Sequence, residues 1–240
     1  RLVTRLHRNV FPMFAPIRRC RFHGPNQPGC FWGELWGEEI EAWRRLTPKM
    51  GFYIYNYNLA DALLPLNKTS FYKQLSEAIR KAEPETLAWI FETIDAWAAH
   101  APHLYLSVRL AWNSRMEIET EMDRFYRGFY GAAAVPMKRY WTRIDEAYAR
   151  APTHTGSLYG QPQIWTEDLL GACRRDLEEA GRLAANPRER EAVAMAEAGF
   201  RCAELFMAIV RALQRFDFVA AGRHQETLQS HIQALAEKTE

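Results

Sequence analysis

The sequence has no apolar run near the roughly 20 residues that a membrane-spanning helix needs, so no such span is expected. Neither sign of charge is in excess. The 31 Lys and Arg against 29 Asp and Glu leave a formal +2, with no basic run, which argues against nucleic acid as a partner. Cysteine is scarce: Cys20, Cys30, Cys173 and Cys202 do not make a tight disulfide pattern. There is no glycine-rich nucleotide loop and no serine-hydrolase elbow. There is also no initiating Met and no visible leader. The opening Arg1–Arg8 reads as the end of a helix from something longer, so localisation is not readable from this end.

What is present is an alternation of short apolar strands and helices. Strands are expected over Phe14–His23, Gly51–Asn58 and Thr86–Glu92. Each begins in β-formers and ends in polar or aromatic groups. Helices are expected near Glu34–Leu46, from Thr69 or Ser70 to about Ala82, and over Ala101–Trp112 with Pro102 in its first turn. This is the pattern of a parallel sheet packed by helices, which meets ligands at the carboxyl ends of its strands. Beyond Glu92 only helical periodicity remains: Glu117–Tyr130, Pro136–Arg150, Trp165–Ala185, Pro187–Arg215 and Asp217–Glu237. The expected class is α/β and mostly helical overall. Its first part, residues 1–112, holds the last strands of a (β/α) barrel. Residues 113–240 form an all-helical domain. Only three βα units are visible where a closed barrel needs eight, so this part is either a small open sheet or the tail of a barrel. The abrupt start at Arg1 favours the second, with further barrel strands expected upstream.

The strand ends supply the candidate ligand contacts. Arg21 and His23 lie two apart, a spacing that on a strand points both side chains to one side. Tyr55, Asn56, Tyr57 and Asn58 mix aromatic faces with amides. Trp32 and Trp97 lie near loops, where stacking is possible, whereas Trp89 reads as core. Cys20, His23 and Cys30 hint at zinc. With no evident fourth ligand, neither a metal nor another cofactor is expected. Cys173 and Cys202 read as small core residues, and His100 and His103 as surface groups at a helix start. Arg109, on an apolar helix, reads as the partner of an internal carboxylate or carbonyl.

Cys20-Arg-Phe-His23, Cys30, Trp43, Tyr53-Ile-Tyr55 and the strand ending at Glu92 recur together in one arrangement. More specific are Tyr105–Trp112 and Phe125–Ala133. Over residues 14 to 150 these stretches resemble the bacterial family called domain of unknown function 4838. The resemblance implies kinship with glycoside hydrolases, alpha-glucuronidases and hexosaminidases being the nearest characterised kin. It also implies a TIM-type barrel followed by helices, carbohydrate as the partner, and an extracytoplasmic or secreted location. Cleavage of an O-glycosidic bond would use Glu92 as one of two carboxylates, with Asp61 and Asp95 as local candidates for the other. The alternative is a carbohydrate-binding or structural helical domain without catalysis.

Overall fold

Lys49–Tyr55 and Glu85–Glu92 are dense in Phe, Tyr, Trp and Ile, side chains that suit a pleated surface. In the computed structural model they form the two long strands, β2 and β3. The structure describes residues 6–7, 9–17, 20–47, 49–56, 64–82, 85–93, 97–154 and 158–237. A two-residue strand, β1 (Met13–Phe14), completes a parallel sheet in the order β1-β2-β3. Phe52 stacks on its register partner Trp89 at 5.1 Å between ring centroids, and with Ile54 and Phe91 it faces the core. Tyr53, Tyr55, Ile90 and Glu92 alternate onto the opposite face. There Ile90 is exposed and the other three are half-buried.

The first strand is much shorter than the sequence implies. Pro16 has no N–H to give to a ladder. Beyond it, Cys20–His23 turns back on itself, with the His23 N–H donating to Cys20 Sγ at 3.4 Å. Arg21 and His23 are therefore loop residues, and the two-apart strand argument does not hold for them. The Arg1–Arg8 helix expectation falls largely outside the described residues, since residues 1–5 and 8 are not among them.

Three helices alternate with the strands: α1 (Phe31–Leu46), α2 (Thr69–Ala82) and α3 (Trp97–Trp112). Five more follow: α4 (Ile118–Tyr130), α5 (Ala134–Ala149), α6 (Glu167–Leu183), α7 (Pro187–Gln214) and α8 (Phe218–Ala236). Their ends follow local chemistry. Thr166, Asn186 and Asp217 cap α6, α7 and α8 by accepting backbone N–H groups, and Gly131 ends α4 at a φ of 52°. α3 starts four residues before the expected Ala101, which places Pro102 inside the helix. Proline cannot donate to the carbonyl four residues back, here that of Ala98. Gly199 of α7 packs against that same carbonyl.

Beside a smaller cluster of Cys202, Leu205 and Leu228, the main apolar core runs from Cys20 to Met207. Trp36, Trp141, Trp165, Tyr130, Tyr140 and Phe200 are almost wholly enclosed in it. Some buried aromatic polar atoms are paired inside it, as where Trp141 Nε1 donates to Tyr130 Oη at 2.9 Å, whereas Trp36 Nε1 and Tyr140 Oη have no partner among the described residues. Among the described residues the sheet has three strands and does not close into a barrel. The architecture is mostly helical, with a small parallel sheet leading into a helical C-terminal region. No helix among the described residues is long and apolar enough to cross a membrane.

Candidate functional site

Two groups of side chains gather where the chain leaves the sheet. The first lies on its open face. Tyr55 is the register partner of Glu92, so both project to the same side. Tyr53, two residues earlier, places its ring 5.0 Å from that of Tyr55 and donates its hydroxyl to Glu92 Oε2 at 2.7 Å. Arg21 is only 5% exposed and lays its guanidinium 4.6 Å from the centroid of the Tyr55 ring. Arg21, Tyr55, Tyr53 and Glu92 thus form one continuous strip at the carboxyl end of parallel strands.

Beneath the strip lies a buried polar floor. Asn56 is fully enclosed. Its Oδ1 accepts from Tyr72 Oη at 2.6 Å, and its Nδ2 donates to Ser107 Oγ at 3.1 Å. Its carbonyl lies 3.0 Å from His103 Nε2, so Asn56 ties β2 to α2 and α3 from below the open face. Lys68 is buried too, donating to the Tyr55 carbonyl at 3.2 Å and lying over the Phe71 ring. His100 and His103 are fully buried, against the surface placement expected of them. α3 begins early enough to turn both inward. Burial lowers both pKa values, that of His100 to about 4. Arg109 meets Glu121 at 2.7 Å, an internal carboxylate as expected.

The other candidates scatter. Trp32 is in the first turn of α1, partly exposed and edge-on to Phe31, and Trp97 is the first residue of α3. Tyr57, Asn58, Asp61 and Asp95 lie outside the described residues.

His23 does not join Arg21. It belongs to the second group, with Cys20, Cys30 and His154, whose donor atoms all lie within 4.8 Å of one another. Cys20 Sγ is 3.4 Å from His23 Nδ1 and 3.7 Å from His154 Nδ1, and Cys30 Sγ is 3.3 Å from His154 Nδ1. The two cysteines and His23 are buried, and His154 is exposed. Each sulfur also accepts a backbone N–H, Cys20 from His23 and Cys30 from Gly33. Cys30 is the N-cap of α1 and sits at the positive end of its dipole. Burial pushes the Cys20 thiol up to about 11 and lowers the pKa of His23. Two thiols and two imidazoles converging in this way suit a tetrahedral soft or borderline cation. The spacing C-x2-H-x6-C showed three of the four donors. The fourth comes 124 residues after Cys30, from a loop with no motif of its own.

A family model described as a domain of unknown function (DUF4838) matches residues 2–142. No curated protein and no solved structure matches the chain. The matched segment contains the whole strip and three of the four Cys/His donors. His154 lies just beyond it.

Proposed function

The chain belongs to the domain of unknown function 4838 family, and we propose that it acts on carbohydrate through the strip on the open face of its sheet. The observation that carries this reading is the hydrogen bond from Tyr53 to Glu92, which aims a carboxylate along a surface of two tyrosine rings. Sugars present apolar C–H faces to such rings and hydroxyls to such carboxylates. Arg21, held over Tyr55, adds a fixed guanidinium suited to a hydroxyl or to the carboxylate of a uronic acid. The position at the carboxyl ends of parallel strands is where α/β sheets receive ligands. Kinship with glycoside hydrolases, implied by the sequence resemblance, makes hydrolysis of an O-glycosidic bond the proposed reaction. Glu92 is then one of its two carboxylates.

The test is to incubate the purified chain with neutral and uronic-acid oligosaccharides, measuring saturable binding by calorimetry and products by mass spectrometry. The reading expects saturable binding that weakens in Tyr55→Ala. It also expects product formation that is lost in Glu92→Gln while binding stays within a few-fold. Binding without product would assign the strip to recognition alone. No saturable binding to any sugar would remove carbohydrate from the account.

A further inference from the structure

We propose that Cys20, His23, Cys30 and His154 bind one zinc ion as a closed structural centre that clips the loop between β1 and α1 to the loop after α5. The argument begins with distances. For Zn–S near 2.3 Å and Zn–N near 2.0–2.1 Å, the edges of a ligand tetrahedron are about 3.3–3.8 Å. The three donor separations of 3.3, 3.4 and 3.7 Å fall in that range. Both cysteines are free thiols.

The surroundings suit metal-bound thiolates. Backbone N–H groups of His23 and Gly33 point at the two sulfurs, and the N-terminus of α1 lies behind Cys30. Such donors stabilise negative charge on sulfur and fix the ligand in place. Four protein donors fill a tetrahedron, so no position is left for a substrate or an activated water. The centre is therefore structural, not catalytic.

The topology gives the centre a purpose. The Cys20–Cys30 loop follows a strand of only two residues, and the sheet ladder holds little of it. His154 comes from the end of the α5 segment, 134 residues from Cys20. A cation shared by both would tie the sheet-bearing half to the helical region. It would also fix Arg21, which lies between two of the ligands, over Tyr55. The metal proposal does not depend on the carbohydrate reading, and its test uses no sugar.

The experiment is metal analysis of the full chain after chelation and reconstitution with zinc alone, followed by cobalt titration read in the visible spectrum. The expected result is one zinc per chain, with intense cobalt bands characteristic of tetrahedral thiolate ligation. Alkylation of Cys20 and Cys30 should be slow in the zinc form and faster after chelation. His154→Ala, which changes an exposed loop residue, is expected to fold and to lose at least about tenfold in zinc affinity. Cys30→Ser should lose stoichiometric binding, whereas Cys202→Ser, in α7, should keep it. Substoichiometric zinc after reconstitution, unchanged affinity in His154→Ala, or a Cys20–Cys30 disulfide in the purified chain would each overturn the proposal.

Discussion

Gly199 offers a sharp test of how the sheet-bearing part meets the helical region. It lies in α7, where alanine is ordinarily the better residue by about 1 kcal/mol. A Cβ added there would sit 2.7 Å from the Ala98 carbonyl oxygen, 3.1 Å from its carbon and 3.3 Å from Ala99 Cα. All three are backbone atoms of α3, so no side-chain rotation relieves the contact. Relief requires α3 and α7 to part by roughly half an ångström or more in a close-packed interior. Overpacking of this kind costs about 1–3 kcal/mol, and the rigid backbone contact favours the upper half of that range. After the helix-propensity gain of about 1 kcal/mol, Gly199→Ala is expected to destabilise the protein by about 1–2 kcal/mol. Gly181, in α6, is the control. Nothing lies within 4 Å of its added Cβ, so Gly181→Ala should stabilise by up to about 1 kcal/mol. Urea unfolding followed by far-UV circular dichroism, with both midpoint and slope recorded, reads the difference. A Gly199→Ala midpoint at or above that of the parent protein, with unchanged slope, would refute the close approach of α7 to the carbonyl left without its donor by Pro102.

Two further expectations concern pH. His100 has its pKa lowered to about 4 by burial, below the ordinary 6.5, so the unfolded chain binds its proton first as pH falls. Stability should therefore drop between about pH 6.5 and 4, by up to about 3 kcal/mol from this group at the lower end. Replacing His100 by Leu should flatten that slope in urea midpoints measured from pH 7.5 to 4.5, and an unchanged slope would count against the burial argument. Glu121 is depressed below its ordinary 4.5, chiefly by the Tyr105 hydroxyl and then by Arg109, with burial opposing. Its contribution is present above pH 4.5 and is lost as pH falls through the lowered value. The deficit of Glu121→Gln relative to the parent should thus be full at pH 7 and shrink in acid, and a constant deficit would refute the assignment.

Much of the local structure was legible in the sequence because its causes are local. β2, β3 and α2 fall close to where β-formers, a capping Thr and closing prolines place them, and α7 and α8 start at Asn186-Pro187 and Asp217 as their caps dictate. The helical recurrence of apolar residues beyond Glu92 announced a packed helical region. The family was legible too, because its specific runs lie in those helices. Where the sequence misled, a long-range contact had overridden local preference. β1 stops at Phe14, short of Pro16, and Cys20–His23 turns instead toward His154 far along the chain. α3 begins early and buries His100 and His103 against the β2 end, where a helix-start histidine by itself reads as a surface group.

The same division runs through the two sites. The sequence singled out Glu92, Tyr55 and Arg21, but strand register set Tyr55 beside Glu92 and a loop brought Arg21 over Tyr55, both of them relations between segments. Periodicity reports only what lies within a few residues, so it could not supply His154 to a cluster whose other members end at Cys30. Packing α5 beside the Cys20–Cys30 loop brought that imidazole to within 3.3 Å of a sulfur, and only a folded chain can make such a contact.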